Sequence, residues 1–213
     1  MDLKVSVGKH AEWLKELSED APYTVFLCGP SLGSKESKPI SGFIEKIINK
    51  FNKRENGMAS ALLRQRLLDE LTHEGFDVVL GEDDGLEENR IRIGLNAQDN
   101  ELEFISRQCN AVIIIADSVG AFCELGLFSW HFVHKDGRIG ENLEPTFIVI
   151  INERFKSDKS YFNEGPVGSV LGFGQVYYVD YESFDPDEIK KILSNRRSVE
   201  TLDKRGRPVG RKK

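Results

Sequence analysis

Six consecutive apolar residues, AVIIIA at 111–116, constrain this chain more than any other feature. A half-solvated strand alternates apolar and polar side chains, whereas a strand apolar at every position is covered on both faces. The run therefore predicts a central strand in a parallel sheet wrapped by helices. Four more runs share its character: TVFLC (24–28), FDVVL (76–80), TFIVII (146–151) and QVYYVDY (175–181). Helical patterns fall over 10–19, 40–51, 61–75, 98–109 and 121–133, with a last helix starting at Asp185-Pro186; Asn56-Gly57 reads as a break and Gly75 as a stop. The alternation predicts an α/β, doubly wound (flavodoxin/Rossmann-like), mostly parallel five-stranded sheet with helices on both faces. The 213 residues suit one domain over 1–194, an insert at about 31–57, and a short, basic, flexible tail over 195–213.

Charge is unevenly spread. Residues 195–213 hold eight Lys and Arg against Glu200 and Asp203, so this tail is +6 and the rest of the −6 chain is −12. An acidic body is a poor general binder of nucleic acid, whereas a basic tail suits it. Cys28, Cys109 and Cys123 form no zinc or disulfide pattern, which fits a reducing, cytoplasmic setting. The opening MDLKVSVGKH reads as no secretory signal, and no apolar run is long enough for a bilayer, so no membrane partner is expected.

Open doubly wound sheets bind ligands at the carboxyl ends of their strands. Three unusual turns fall there: Cys28-Gly29-Pro30, Gly81-Glu82-Asp83 and Asp117-Ser118-Val119-Gly120. Directly after the central strand, DSVGAFCELG (117–126) places Asp117 at the strand end, with Gly120 to let the backbone turn close to a ligand. Glu124 is expected in the first turn of the next helix, kept ionised by the helix dipole, and Gly126 is expected to let that helix pack tightly on the sheet. Breaking a bond between ribose C1′ and a base passes through an oxocarbenium-like state, which a carboxylate stabilises or attacks. Asp117 would hold ribose hydroxyls or assist proton transfer. Spacing alone equally allows Asp117 as a turn cap and Glu124 as surface decoration.

The segments FLCGP (26–30), GED (81–83) and AVIIIADSVGAFCELGLFS (111–129) resemble the nucleoside 2-deoxyribosyltransferase-like superfamily. Gly120 and Glu124 match its Gly and nucleophilic Glu, and Asp117 stands for its preceding Asp with one extra residue between. With RFKSDKSYFNEGPV (154–167), the chain is most similar to the deoxyribosyltransferase-like effector proteins of retron antiphage systems. The resemblance covers roughly 24–170. It implies an N-glycosidase acting on NAD or a related nucleotide as a toxin in phage defence. It also implies a homo-oligomer, and association with a reverse transcriptase and its RNA–DNA product. The chain departs from these relatives in the 31–57 extension, in Pro30 where some have a second Gly, and in having no winged-helix region after the fifth strand.

From their place at the strand ends, Cys28, Gly29, Pro30, Asp83, Ser118 and Gly120 are expected to line the substrate pocket, and the resemblance implies that the loop carrying Asn163 closes it. The plain alternatives stay open: a buried structural thiol at Cys28, a solvated loop for Glu82, Asp83, Asp84, Glu87 and Glu88, and a structural turn at Asn163, Gly165 and Pro166. His10, His73, His131 and His134 read as structural or surface residues. No metal pattern is legible and no cofactor is expected. The fingerprint G-x-G-x-x-G is absent after the first strand, so NAD would enter as substrate and not as hydride carrier. In KRGRPVGRKK (204–213), Arg205, Gly206, Arg207 and Pro208 resemble an AT-hook for a narrow minor groove; a disordered basic end is the alternative. Competing functions are a nucleotide sensor without turnover and a salvage deoxyribosyltransferase. Phe128, Trp130 and Phe132 offer a contact surface for oligomers, or core.

Overall fold

A computed structural model describes residues 22–32, 54–82, 96–134, 145–157 and 159–204. Five strands, β1 (Thr24–Cys28), β2 (Asp77–Leu80), β3 (Ala111–Ala116), β4 (Thr146–Asn152) and β5 (Gln175–Val179), form one sheet in the order β2-β1-β3-β4-β5. Every pairing is parallel. The doubly wound expectation holds, with the flavodoxin-like order of strands. All six residues of β3 are fully buried, as a run without alternation requires.

Helices α1 (Arg54–His73), α2 (Ala97–Gln108), α3 (Val119–His134) and α4 (Asp187–Lys204) cover the sheet. Side chains alternate across each strand and sort into two clusters. Val25, Leu27, Ile113 and Ile115 pack with Leu63, Leu67 and Leu71 of α1 and Ile189 and Leu193 of α4. Phe26, Cys28, Val112 and Ile114 pack on the other face with Ile105 of α2 and Leu125 and Phe128 of α3. The helices that follow β1 and β3 therefore leave on opposite faces. The carboxyl ends of these two adjacent strands are therefore the topological switch point, where such sheets open a crevice.

Several expectations are corrected. Asn56-Gly57 does not break α1, which runs through both. Isolated glycine costs a helix only about 1 kcal/mol, less than the burial of the leucine stripe beyond it supplies. The helix does stop at Gly75, whose φ of 75° suits glycine; Phe76 N–H donates to Leu71 O and Gly75 N–H to Thr72 O, closing the helix end. The proposed boundary at 194/195 falls inside α4. Arg197 is buried there, its guanidinium 4.2 Å from the Phe76 ring centroid and bonded to the carbonyls of Glu74 and Gly75. Glu200 accepts from Asn110 Nδ2. The segment after β4 is not an open loop: a π-helical turn over Asn163–Val167 runs into a helical turn over Gly168–Val170. Phe128 and Phe132 are core, while Trp130 is 62% exposed. The patterns at 10–19 and 40–51, most of the insert, and the tail beyond Lys204 lie outside the described residues.

Candidate functional site

Glu124 stands at the switch point, but in the second turn of α3, because the helix starts at Val119. Ser118 caps that start, its Oγ accepting from Ala121 N–H at 3.1 Å. Helix-dipole stabilisation fades after the first turn, so the expectation that it keeps Glu124 ionised is overturned. Burial instead pushes this carboxyl above the usual range; the Cys28 thiol and the Arg64 charge oppose that push, and Glu82 adds to it. Cys28, the last residue of β1, is fully buried and hydrogen-bonds Glu124. Burial first, then the Glu124 and Glu101 charges, hold it as a thiol. Cys28 is thus a core residue that touches the Glu124 carboxyl.

Two groups that the sequence reading passed over build the rest of the crevice. Arg64, 1% exposed, reaches over the end of β1. It donates to Leu27 O at 2.9 Å and Pro30 O at 3.1 Å, and grips Glu82 with two bonds of 2.6 and 2.7 Å. A Cβ on Gly29 would stand 3.2 Å from both Arg64 Cδ and Ile115 Cβ, so glycine is what lets this arginine pass. Against the upward push of burial, the Arg64 bonds and charge hold Glu82 below the usual carboxylate range. Glu82 is therefore half of an ion pair and not a freely solvated loop residue. Glu101, on the inner side of α2, is driven up to about 7 by burial and then by the Glu124 and Glu82 charges. Its Oε1 lies 3.1 Å from where a Gly81 Cβ would be.

Asp117 is held by two side chains. Its side chain is 3% exposed. One oxygen meets Arg154 Nη2 at 3.1 Å and the other accepts from Ser60 Oγ at 2.8 Å. Burial raises its carboxyl, opposed by Ser60 and Arg154. Ser60 and Arg64 sit one turn apart on α1, so a single helix face holds Asp117 after β3 and Glu82 after β2. Asn163 donates to Phe155 O at 2.6 Å and accepts from the Tyr178 hydroxyl at 2.9 Å, bonds that fasten the segment after β4. Gly120 is exposed and Gly126 has open space where a side chain would go. Gly126 therefore does not serve the tight packing on the sheet expected of it. Asp83, Arg205, Gly206, Arg207 and Pro208 lie outside the described residues.

The signal for Arg64 was present in the sequence. It shares the stripe Ser60, Leu63, Leu67, Leu71 on the buried face of α1, and a cation there requires a partner. Arg154 lies two residues beyond the carboxyl end of β4, where this fold places ligand contacts. Glu101 had only its helical spacing of four from buried Ile105. Among the described residues, no three His, Cys, Asp or Glu side chains converge as a metal site, and no helix is long and apolar enough to cross a membrane.

What the crevice offers is three carboxyls with different proton demands. Glu82 is ionised and locked by Arg64, Glu124 is buried beside a thiol, and Glu101 holds its proton near neutrality. Such separation is how one site runs acid and base chemistry together. No curated protein matches the chain. Residues 60–208 match the family model described as STM3845 retron effector protein, a span that takes in Ser60, Arg64, Glu82, Glu101, Asp117, Glu124 and Arg154.

Proposed function

The chain belongs to the STM3845 retron effector protein family, and from that premise we propose that it is an N-glycosidase effector of antiphage defence. In this reading it is a cytoplasmic toxin that cleaves the base–ribose bond of NAD or a related nucleotide, and the nucleotide enters as substrate and not as cofactor. The observation that carries the reading is the buried Arg64 at the end of β1, bonded to Glu82 and with the Glu124 carboxyl close enough to feel both charges, beside Glu101, whose proton is held by burial and by the Glu124 and Glu82 charges. The resemblance of 26–30 and 111–129 to deoxyribosyltransferase-like proteins supports it.

Glu124 attacks or electrostatically stabilises C1′ as the glycosidic bond opens. The bonding pair leaves with the base nitrogen. Glu101 supplies the proton that a neutral purine or pyrimidine needs to depart, then takes one from the water that completes hydrolysis. Arg64 fixes Glu82 and with it the ends of β1 and β2. Asp117 positions Arg154 and takes no part in proton transfer. The acidic edge excludes general nucleic-acid binding at the crevice, while the basic residues beyond α4 suit a reverse transcriptase and its RNA–DNA product. A homo-oligomer fits α3, whose exposed side carries Val119, Cys123, Trp130 and Val133.

The test is chromatographic. Purified protein is incubated with NAD and a nucleotide mixture, and released base is identified. Glu124→Gln and Glu124→Ala should lower base release by at least about 1,000-fold, an order set by loss of a covalent or charge-stabilising group, with circular dichroism unchanged. Retained turnover in a folded variant refutes the assignment. Tight nucleotide binding with no free base would give the site to a sensor.

A further inference from the structure

Charge matching along the carboxyl edge of the sheet leaves one arginine unlike the rest. Both terminal nitrogens of Arg64 are engaged by Glu82 and two carbonyls, and its Nε is buried without a partner. Arg154 is anchored on one side only: Nη2 holds Asp117 at 3.1 Å, and its Cζ lies 4.6 Å from the Phe155 ring centroid. Its backbone N–H donates to Asn152 Oδ1 at 3.1 Å, which fixes the turn that carries it. The side chain remains 44% exposed while Asp117 beneath it is 3% exposed. Its guanidinium makes no other side-chain hydrogen bond to the described residues, and Lys156 and Lys159 stand exposed just beyond it, with Glu153 exposed before it. This basic lip belongs to a body that is otherwise strongly acidic.

The lip adjoins the crevice. The link runs through α1: Ser60, which donates to Asp117 at 2.8 Å, sits one helical turn from Arg64, whose charge reaches Glu124. A substrate with C1′ at Glu124 extends its ribose across this rim. A phosphate entering among Glu82, Glu101, Glu124 and Asp117 is repelled unless a cation with free donors receives it, and a guanidinium anchored at one edge presents the other as a fork for phosphate oxygens.

We propose that Arg154, held in place by Asp117 and Phe155, is the phosphate-reading residue of the site, so that the substrate is a ribose-phosphorylated nucleotide and not a nucleoside. The proposal rests on the N-glycosidase reading for its substrate, but it is tested separately from it.

Matched pairs discriminate: adenosine 5′-monophosphate against adenosine, and deoxyadenosine 5′-monophosphate against deoxyadenosine. They are assayed for base release with the full chain and for binding by calorimetry with the Glu124→Gln protein, so loss of turnover and loss of phosphate recognition remain distinct results. The wild type should favour the phosphorylated member of each pair. Arg154→Ala should lower the nucleotide-to-nucleoside ratio of kcat/KM, and of affinity, about 10- to 100-fold, as for loss of a charge-assisted hydrogen bond, and Arg154→Lys should keep part of it. An unchanged ratio, however far both members fall, makes Arg154 a support for Asp117 alone and overturns the proposal. So does a wild type without phosphate preference, or an effect of Arg154 seen only with a single-stranded oligonucleotide.

Discussion

Glu101→Gln should stabilise the protein in alkaline solution and far less in acid. The buried carboxyl is pushed from its ordinary 4.5 to about 7. Between those values the unfolded chain has released a proton that the folded chain still holds, so the native state binds more protons and stability falls as pH rises through the window. At about 1.36 kcal/mol per pH unit the full separation is about 3.4 kcal/mol. Glu101 is only partly buried, and solvent screening brings this to about 1–2 kcal/mol. For a chain of this size that is about 2–8 °C in Tm. Thermal unfolding of wild type and Glu101→Gln at pH 5 and pH 8 reads it directly. The variant should exceed wild type by about a quarter of the full effect at pH 5 and by nearly all of it at pH 8. A difference independent of pH, or a variant less stable at pH 8, would show that Glu101 is not strained by ionisation and would remove the acid from the mechanism.

Other outcomes follow from the same geometry. Arg64→Met strips two carbonyls and Glu82 of their donor; with Glu82 half exposed the cost should be about 2–4 kcal/mol by urea unfolding, and a loss below about 1 kcal/mol would contradict the clamp. Two glycines should respond with opposite signs in the same assay. Gly126→Ala has open space and gains up to about 1 kcal/mol of helix propensity, whereas a Cβ on Gly174 would stand 2.6 Å from Phe147 O and should cost about 1–3 kcal/mol. Trp130→Glu should shift the sedimenting species towards monomer, and a wild type that is already monomeric at tens of micromolar would end the homo-oligomer reading.

The sheet was legible because its signal is local and redundant. β1 and β3 were predicted to the residue, since all but Thr24 at the start of β1 are apolar and buried and each run ends in a turn. The end of α4 was misread because basic composition outweighed spacing: Ile189, Leu193, Arg197 and Thr201 recur every four residues and all are buried. Arg197 escapes the usual cost of a buried charge by stacking on Phe76 and closing the end of α1. At the site, Glu124 was legible from its motif, but its environment was not. The forces on it come from Cys28, Glu82 and Arg64, which lie 40 to 100 residues away and meet only through the strand order. Glu101 shows the same limit, because nothing within its own helix marks it out from Glu103.

The departure of α1 and α3 from opposite faces has a mechanical reading. The two jaws of the crevice are mounted on separate plates: Ser60 and Arg64 ride on the leucine ridge of one, Glu124 on the phenylalanine bed of the other. A volume change at Leu67 reaches the crevice as a tilt of the arginine jaw, and one at Phe128 as a tilt of the glutamate jaw. The gap is the difference between two independently set positions, so a defect seated in one plate has its natural compensations in the other.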